Sequence, residues 1–123
     1  MAELSKDFKF KKQFGQNFIF DKNFISSIVS SFNLDKNSSV LEIGAGAGVL
    51  TEVLANNFKK VISFEIDKTL KETLSNLQSK YENLNFVFND VLEVATTEID
   101  NMFEDNFVMI ANLPYYITSQ IIF

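Results

Sequence analysis

The chain has 123 residues, 46% hydrophobic and 22% charged, which suits one small domain around a single core and excludes a disordered chain. Cysteine and histidine are both absent, which excludes disulfides, thiolate zinc sites, cysteine nucleophiles, Ser-His-Asp triads and histidine metal clusters. A net charge of −5 taken alone argues against a nucleic-acid partner, and the lack of cysteine, of a membrane-length apolar run and of a signal-peptide core fits a cytoplasmic protein without metal or membrane.

Residues 1–20 stand apart in character. Lys6, Lys9, Lys11 and Lys12 alternate with Phe8, Phe10 and Phe14, followed by Gly15-Gln16-Asn17-Phe18. This is either a solvated basic terminus or a basic, aromatic arm that touches a polyanion. Asp21 then caps a predicted helix over 22–32, with Phe24, Ile25, Ile28, Val29 and Phe32 on one face. After a polar link over 33–39, Val40-Leu41-Glu42-Ile43 reads as a buried strand running into Gly44-Ala45-Gly46-Ala47-Gly48. A second amphipathic helix carries Val49, Leu50, Val53, Leu54 and Phe58, with Lys59-Lys60 suited to the negative end of its dipole. Residues 61–66 form the second predicted strand. Asp67 caps a third helix lined by Leu70, Leu74, Leu77 and Tyr81. A third strand over 85–88 ends at Asn89-Asp90, and residues 91–105 have room for a short helix. The fourth strand, 107–111, runs into Asn112-Leu113-Pro114-Tyr115-Tyr116, and a helix is predicted from Thr118. This alternation implies right-handed βαβ units and a parallel sheet, the α/β class. A helix with an apolar face that stops at Phe123 reads as a piece of a longer protein, with the fourth strand's outer edge left open.

Three of the four glycines fall within residues 44–48. The backbone there needs unusual dihedrals, or a ligand approaches too closely for a Cβ. The dinucleotide fingerprint wants a small residue where Val49 stands, so a nicotinamide dehydrogenase is disfavoured. In a parallel sheet the carboxyl ends of consecutive strands converge on one crevice, and Gly44, Glu65, Asp90 and Asn112 each sit at such an end. A carboxylate at Glu65 can accept hydrogen bonds from both hydroxyls of a ribose. Pro114 keeps Leu113 out of helical ψ, so the Leu113 carbonyl and the Asn112 side-chain oxygen can hold two hydrogens of an exocyclic amine. Tyr115 offers a flat face to a base drawn out of its stack. Taken singly, each has a structural explanation: a tight turn, a solvated acid, a proline turn with a packed tyrosine.

Taken in order, Gly15-Gln16-Asn17-Phe18, Glu42-Ile43-Gly44-Ala45-Gly46-Ala47-Gly48, Phe64-Glu65-Ile66-Asp67, Asn89-Asp90 and Asn112-Leu113-Pro114-Tyr115 resemble the ribosomal RNA adenine dimethyltransferases across essentially the whole chain. Leu113, where the Erm branch commonly has isoleucine, leans towards the small-subunit branch. Tyr116 departs from members that carry asparagine there. The resemblance implies a Rossmann-like class I methyltransferase fold, truncated, with parallel strand order 3-2-1-4. It divides the chain into an arm over 1–20 and, over 21–123, the N-terminal part of the methyltransferase domain. Further strands and a helical C-terminal domain would follow. It implies S-adenosyl-L-methionine as cofactor, contacted by Asn17, Ile19, Gly44, Gly46, Glu65, Ile66, Asp90, Val91 and Asn112. Asn112, Leu113, Pro114 and Tyr115 become the catalytic motif, and Lys6, Lys9, Lys11 and Lys12 the N-terminal share of an RNA-binding surface. The implied reaction is N6,N6-dimethylation of two adjacent adenosines near the 3′ end of small-subunit (16S) rRNA, on the assembling 30S subunit, by a monomer without metal. A large-subunit rRNA adenine N6-methyltransferase and a non-catalytic RNA- or cofactor-binding module are the alternatives.

Overall fold

Val40, Leu41 and Glu42 are all buried, as a strand covered on both faces requires. They lie in β1 (Ser39–Ile43), the middle strand of a five-stranded sheet in order β3-β2-β1-β4-β5. The computed structural model describes residues 21–113 and 116–122, with 112–113 and 116–122 described as backbone. β2 (Lys60–Phe64), β3 (Leu84–Val87) and β4 (Phe107–Leu113) are parallel to β1 or to one another. The expected order 3-2-1-4 is therefore present.

Alternating residues of these strands feed two cores. Val40, Val61, Leu84, Val108 and Ile110 meet helices α1 (Lys22–Ser31) and α2 (Val49–Asn57) through Ile25, Ile28, Val29, Phe32, Leu50, Val53 and Leu54. α3 (Lys71–Gln78) joins that face through fully buried Leu74 and half-buried Leu77. Leu41, Ile62 and Phe64 point the other way, to Phe103, Phe107 and the short helix α4 (Thr96–Asn101) through Ile99. Helices on both faces give the doubly covered α/β layer arrangement.

Local chemistry explains the helix boundaries. Asp21 starts α1 by accepting from the Phe24 amide at 3.1 Å. Asp67 caps a 3₁₀ turn, Lys68–Leu70, that leads into α3 rather than capping α3 itself. Tyr81 lies past the end of α3, and its hydroxyl donates to Glu52 at 3.0 Å. Residues 91–105 hold a 3₁₀ turn, Val91–Glu93, and then α4.

Two further expectations fail. Lys60 does not serve the end of α2: that helix stops at Asn57, and Lys60 is drawn into β2, where it pairs in register with Ser39 and sends its ammonium to the Met102 carbonyl. The Asn83 amide takes over, donating to the Ala55 and Phe58 carbonyls at 2.8 Å each. The helix predicted from Thr118 is instead β5 (Tyr116–Ile122), antiparallel to β4, with Leu113 opposite Tyr116 and Phe107 opposite Ile122. Ile117, Thr118, Ile121 and Ile122 are β-branched, and the unfilled edge of β4 offers them a complete ladder. The edge expected to stay open is thus covered.

Candidate functional site

The sheet register brings the strand ends level. Ile43 stands beside Phe64 on one side and Ala111 on the other. Gly44, Glu65 and Asn112 are each the next residue along, so they form a row at one edge of the sheet. Phe64 stands beside Val87, which places Phe88 level with Glu65 and Asp90 two residues beyond the row.

The glycine turn departs from this row under tight control. Gly44, Gly46 and Gly48 have φ of 85°, 55° and 91°, the left-handed region that glycine tolerates. The Gly44 amide donates to the Phe64 carbonyl at 2.8 Å, and the Gly48 amide to Ala45 at 3.0 Å. The Gly46 amide donates to Glu65 Oε1 at 2.7 Å. The two outer-loop glycines are required for different reasons. A Cβ on Gly48 would lie 2.8 Å from Leu77 Cδ2 and 3.3 Å from Leu74 Cδ2, so packing forbids it. A Cβ on Gly46 would meet nothing within 4 Å among the described residues apart from its chain neighbours, so among those residues the space above Gly46 is open.

Glu65 is 6% exposed, and both oxygens are held. Oε1 takes the Gly46 amide and Oε2 takes the Asp67 amide at 2.9 Å. A carboxylate has about four lone-pair sites, so two remain after these bonds. Asp67, beside it, has its carboxyl held below the ordinary value by the hydroxyl and amide of Thr69. Asp90 Oδ1 accepts from the Leu92 amide at 3.0 Å and fixes the turn that follows β3. Ile66 is 66% exposed and Leu92 is 89% exposed, the two large apolar side chains left open to solvent among the described residues. Both follow strand ends beside the carboxylates. Leu92 escaped the sequence reading because an isolated leucine in a polar stretch carries no pattern; Val91 beside it is half-buried against the core of Leu41, Ile62 and Phe64.

Glu42 was also missed as a site residue. It is fully buried in β1, where Thr51 Oγ1 and Ser63 Oγ both donate to Oε1, the latter at 2.6 Å, and Oε2 has no partner among the described residues. Burial pushes its carboxyl up to about 7, against the pull of its two hydroxyl donors. A lone acid inside an apolar strand run was the available signal.

Asn112 and Leu113 end β4, level with Ile117 and Tyr116 of β5. Asn17, Ile19, Lys6, Lys9, Lys11, Lys12, Pro114 and Tyr115 lie outside the described residues. An open groove of about 370 Å³ lies elsewhere, between α2 and α3, lined by Ala47, Gly48, Glu52, Leu77 and Lys80 among others. Glu52 there is held below its ordinary value by Lys22, at 2.8 Å, and by the Tyr81 hydroxyl. None of the residues expected to bind a cofactor lines this groove. Among the described residues, no group of three or more acids could hold a metal ion, and no helix is long and apolar enough to cross a membrane.

Comparison with known proteins gives a consistent result. A protein from Caldanaerobacter subterraneus subsp. tengcongensis named ribosomal RNA small subunit methyltransferase A is 51% identical over 116 residues, covering 93% of this chain and 43% of that protein. A protein of the same name from Lysinibacillus sphaericus is 45% identical over 119 residues, covering 94% of this chain and 40% of its own length. The chain thus spans about two fifths of these curated relatives. Among solved structures, the 23S rRNA methyltransferase ErmE superposes with a TM-score of 0.55 at 26% identity, over 76% of this chain and 47% of ErmE. The family model described as ribosomal RNA adenine dimethylase matches residues 7–123. A match of that extent, on a sheet whose order and glycine turn are those the motifs require, means that this chain belongs to the ribosomal RNA adenine dimethylase family.

Proposed function

We propose that residues 21–123 are the N-terminal part of a methyltransferase domain that takes methyl groups from S-adenosyl-L-methionine to the N6 amines of two adjacent adenosines near the 3′ end of small-subunit rRNA. Residues 1–20 are its basic, aromatic arm, with Lys6, Lys9, Lys11 and Lys12 against the RNA phosphates. The protein works as a cytoplasmic monomer on the assembling small subunit. The observation that carries the reading is the Glu65 carboxylate, bonded to the Gly46 amide under open space, at a row of strand ends that includes Gly44 and Asn112.

The residues present fit the cofactor. Two lone-pair sites left on Glu65 match two ribose hydroxyls. Exposed Ile66 and half-buried Val91 offer apolar surface to a purine, and Asp90 an acceptor for its amine. The absence of a Cβ at Gly44 and Gly46 admits the methionyl part close to the backbone. An edge carrying Glu65, Asp67 and Asp90 favours a cationic ligand. When bound, the cofactor supplies an electrophilic methyl group on a positively charged sulfur.

The chain's own part in the reaction is positioning. An adenine amine is a poor nucleophile because its lone pair is delocalised into the ring. Two acceptors, the Asn112 side-chain oxygen and the Leu113 carbonyl, favour the pyramidal form and aim it; Pro114 shapes the turn and Tyr115 stacks on the base. Loss of the methyl group from a sulfonium leaves a neutral thioether, which needs no acid, and the N6 proton, made acidic once the nitrogen carries the methyl, would pass to solvent without a strong general base.

Small-subunit specificity is favoured by the two relatives named above. The test is methyl incorporation by the whole protein carrying this sequence, on isolated small subunits and on naked large-subunit rRNA. Incorporation into small subunits supports the reading. Incorporation only into large-subunit rRNA assigns the rival specificity, and cofactor binding with no turnover on either makes it a binding module.

A further inference from the structure

Glu42 has no place in that scheme, yet it is a fully buried carboxyl whose Oε2 has no partner among the described residues. A buried carboxyl with no cation to pair it is less stable than an apolar residue of the same size. Its surroundings say what it does. In register, Ser63 of β2 lies on one side of it and Ile110 of β4 on the other. Thr51, in the first turn of α2, reaches it from the helix layer. One carboxyl oxygen therefore ties β1, β2 and α2 together.

Between Glu42 and Thr51 the chain makes the glycine arch, Gly44 to Gly48. Its inner foot is fastened by the Gly44 amide on Phe64, and its crown by the Gly46 amide on Glu65. Its outer foot is Gly48, the N-cap of α2, which has no side-chain cap. The Thr51–Glu42–Ser63 link is what fastens that foot to the sheet. We infer that Glu42 is a positioning residue, which with Thr51 and Ser63 holds the glycine arch in the shape that receives the ligand. The identity of that ligand rests on the function proposed above; the tie itself does not.

The tie also makes the arch sensitive to pH. Oε1 accepts both hydroxyls in either state, so the proton belongs on unpartnered Oε2. With the carboxyl pushed up to about 7, ionisation near neutrality puts an unpaired charge under the arch. The charged group facing it is Glu65, at the end of β2, which raises it further; on α2, Glu52 is engaged instead with Lys22 and the Tyr81 hydroxyl. β4 presents only uncharged residues.

The chain has four glycines, three of them in the arch, so a ¹⁵N-glycine-labelled sample reports almost nothing else. Arch signals in the wild type should move between about pH 5.5 and 8.5, with Gly15 still. Glu42→Gln keeps an oxygen for both hydroxyls. It should hold the arch signals at their low-pH positions, abolish the titration near neutrality and leave the affinity for S-adenosylhomocysteine within roughly threefold. Glu65→Gln, as a control, should retain that titration. Thr51→Val should shift the Gly46 and Gly48 signals and weaken S-adenosylhomocysteine by roughly tenfold or more, with Ser63→Ala acting in the same direction. The inference is overturned if Thr51→Val and Ser63→Ala both leave the arch signals in place. It is also overturned if Glu42→Gln weakens the ligand as much as Thr51→Val, because the charge would then act on the ligand directly. If the wild type binds no S-adenosylhomocysteine while the arch signals respond as stated, the tie stands and the proposed methyl donor falls.

Discussion

At the scale of single residues, the two glycines of the outer arch separate packing from ligand access. Gly48→Ala places a methyl 2.8 Å from Leu77 at φ 91°, so it should lower unfolding stability by about 1–3 kcal/mol in urea melts. Gly46→Ala meets no other side chain among the described residues and sits at φ 55°, so its stability cost should be about 1 kcal/mol, with the larger effect on cofactor affinity. Reversal of that ranking would mean the space above Gly46 is not the ligand's. Glu42 sets a pH dependence whose sign follows from linkage. Its folded value, about 7, lies above its ordinary 4.5. Its contribution to stability is complete below pH 4.5 and is lost as pH rises through 7, by up to a few kcal/mol. Glu42→Gln should flatten that fall in melts recorded across this range; an unchanged slope would place the titration elsewhere.

At the scale of elements, the helix ends are where the sequence was read well or badly. Asp21 was legible as a cap because an acceptor before an apolar stripe at helical spacing has one common use. Asn83 was not legible as the cap of α2, because it lies 25 residues past Phe58 and reaches it only once β3 has folded beside it. Asn83→Ala should therefore cost about 1–2 kcal/mol by leaving the Ala55 and Phe58 carbonyls unpaired. Hydrogen exchange should show the loss first in the last turn of α2. The segment from Thr118 was misread because its local pattern allows either state, and the neighbouring edge of β4 decided between them.

At the scale of the molecule, strand order and the meeting of the strand ends were legible because a parallel sheet leaves few topologies for this alternation. Glu65 was placed correctly at its strand end, but its bonds to the Gly46 and Asp67 amides depend on how the arch folds back over β2, which no spacing encodes. Glu42 was passed over for the same reason: its partners come from an adjacent strand and a helix, 21 and 9 residues away. Asn112, which closes the row of strand ends, carries the chemistry in the proposed scheme. Asn112→Ala should abolish methyl transfer by the whole protein while circular dichroism and melting stay unchanged, and undiminished turnover would refute its role.

The central claim, one methyl donor held at a single row of strand ends, is tested most directly by calorimetric titration of this chain with S-adenosyl-L-methionine, beside Glu65→Ala and beside NADH. The account predicts one site for S-adenosyl-L-methionine, at least roughly tenfold weaker in Glu65→Ala, and no heat with NADH. Binding that ignores the loss of the Glu65 carboxylate, or a preference for NADH, would contradict it.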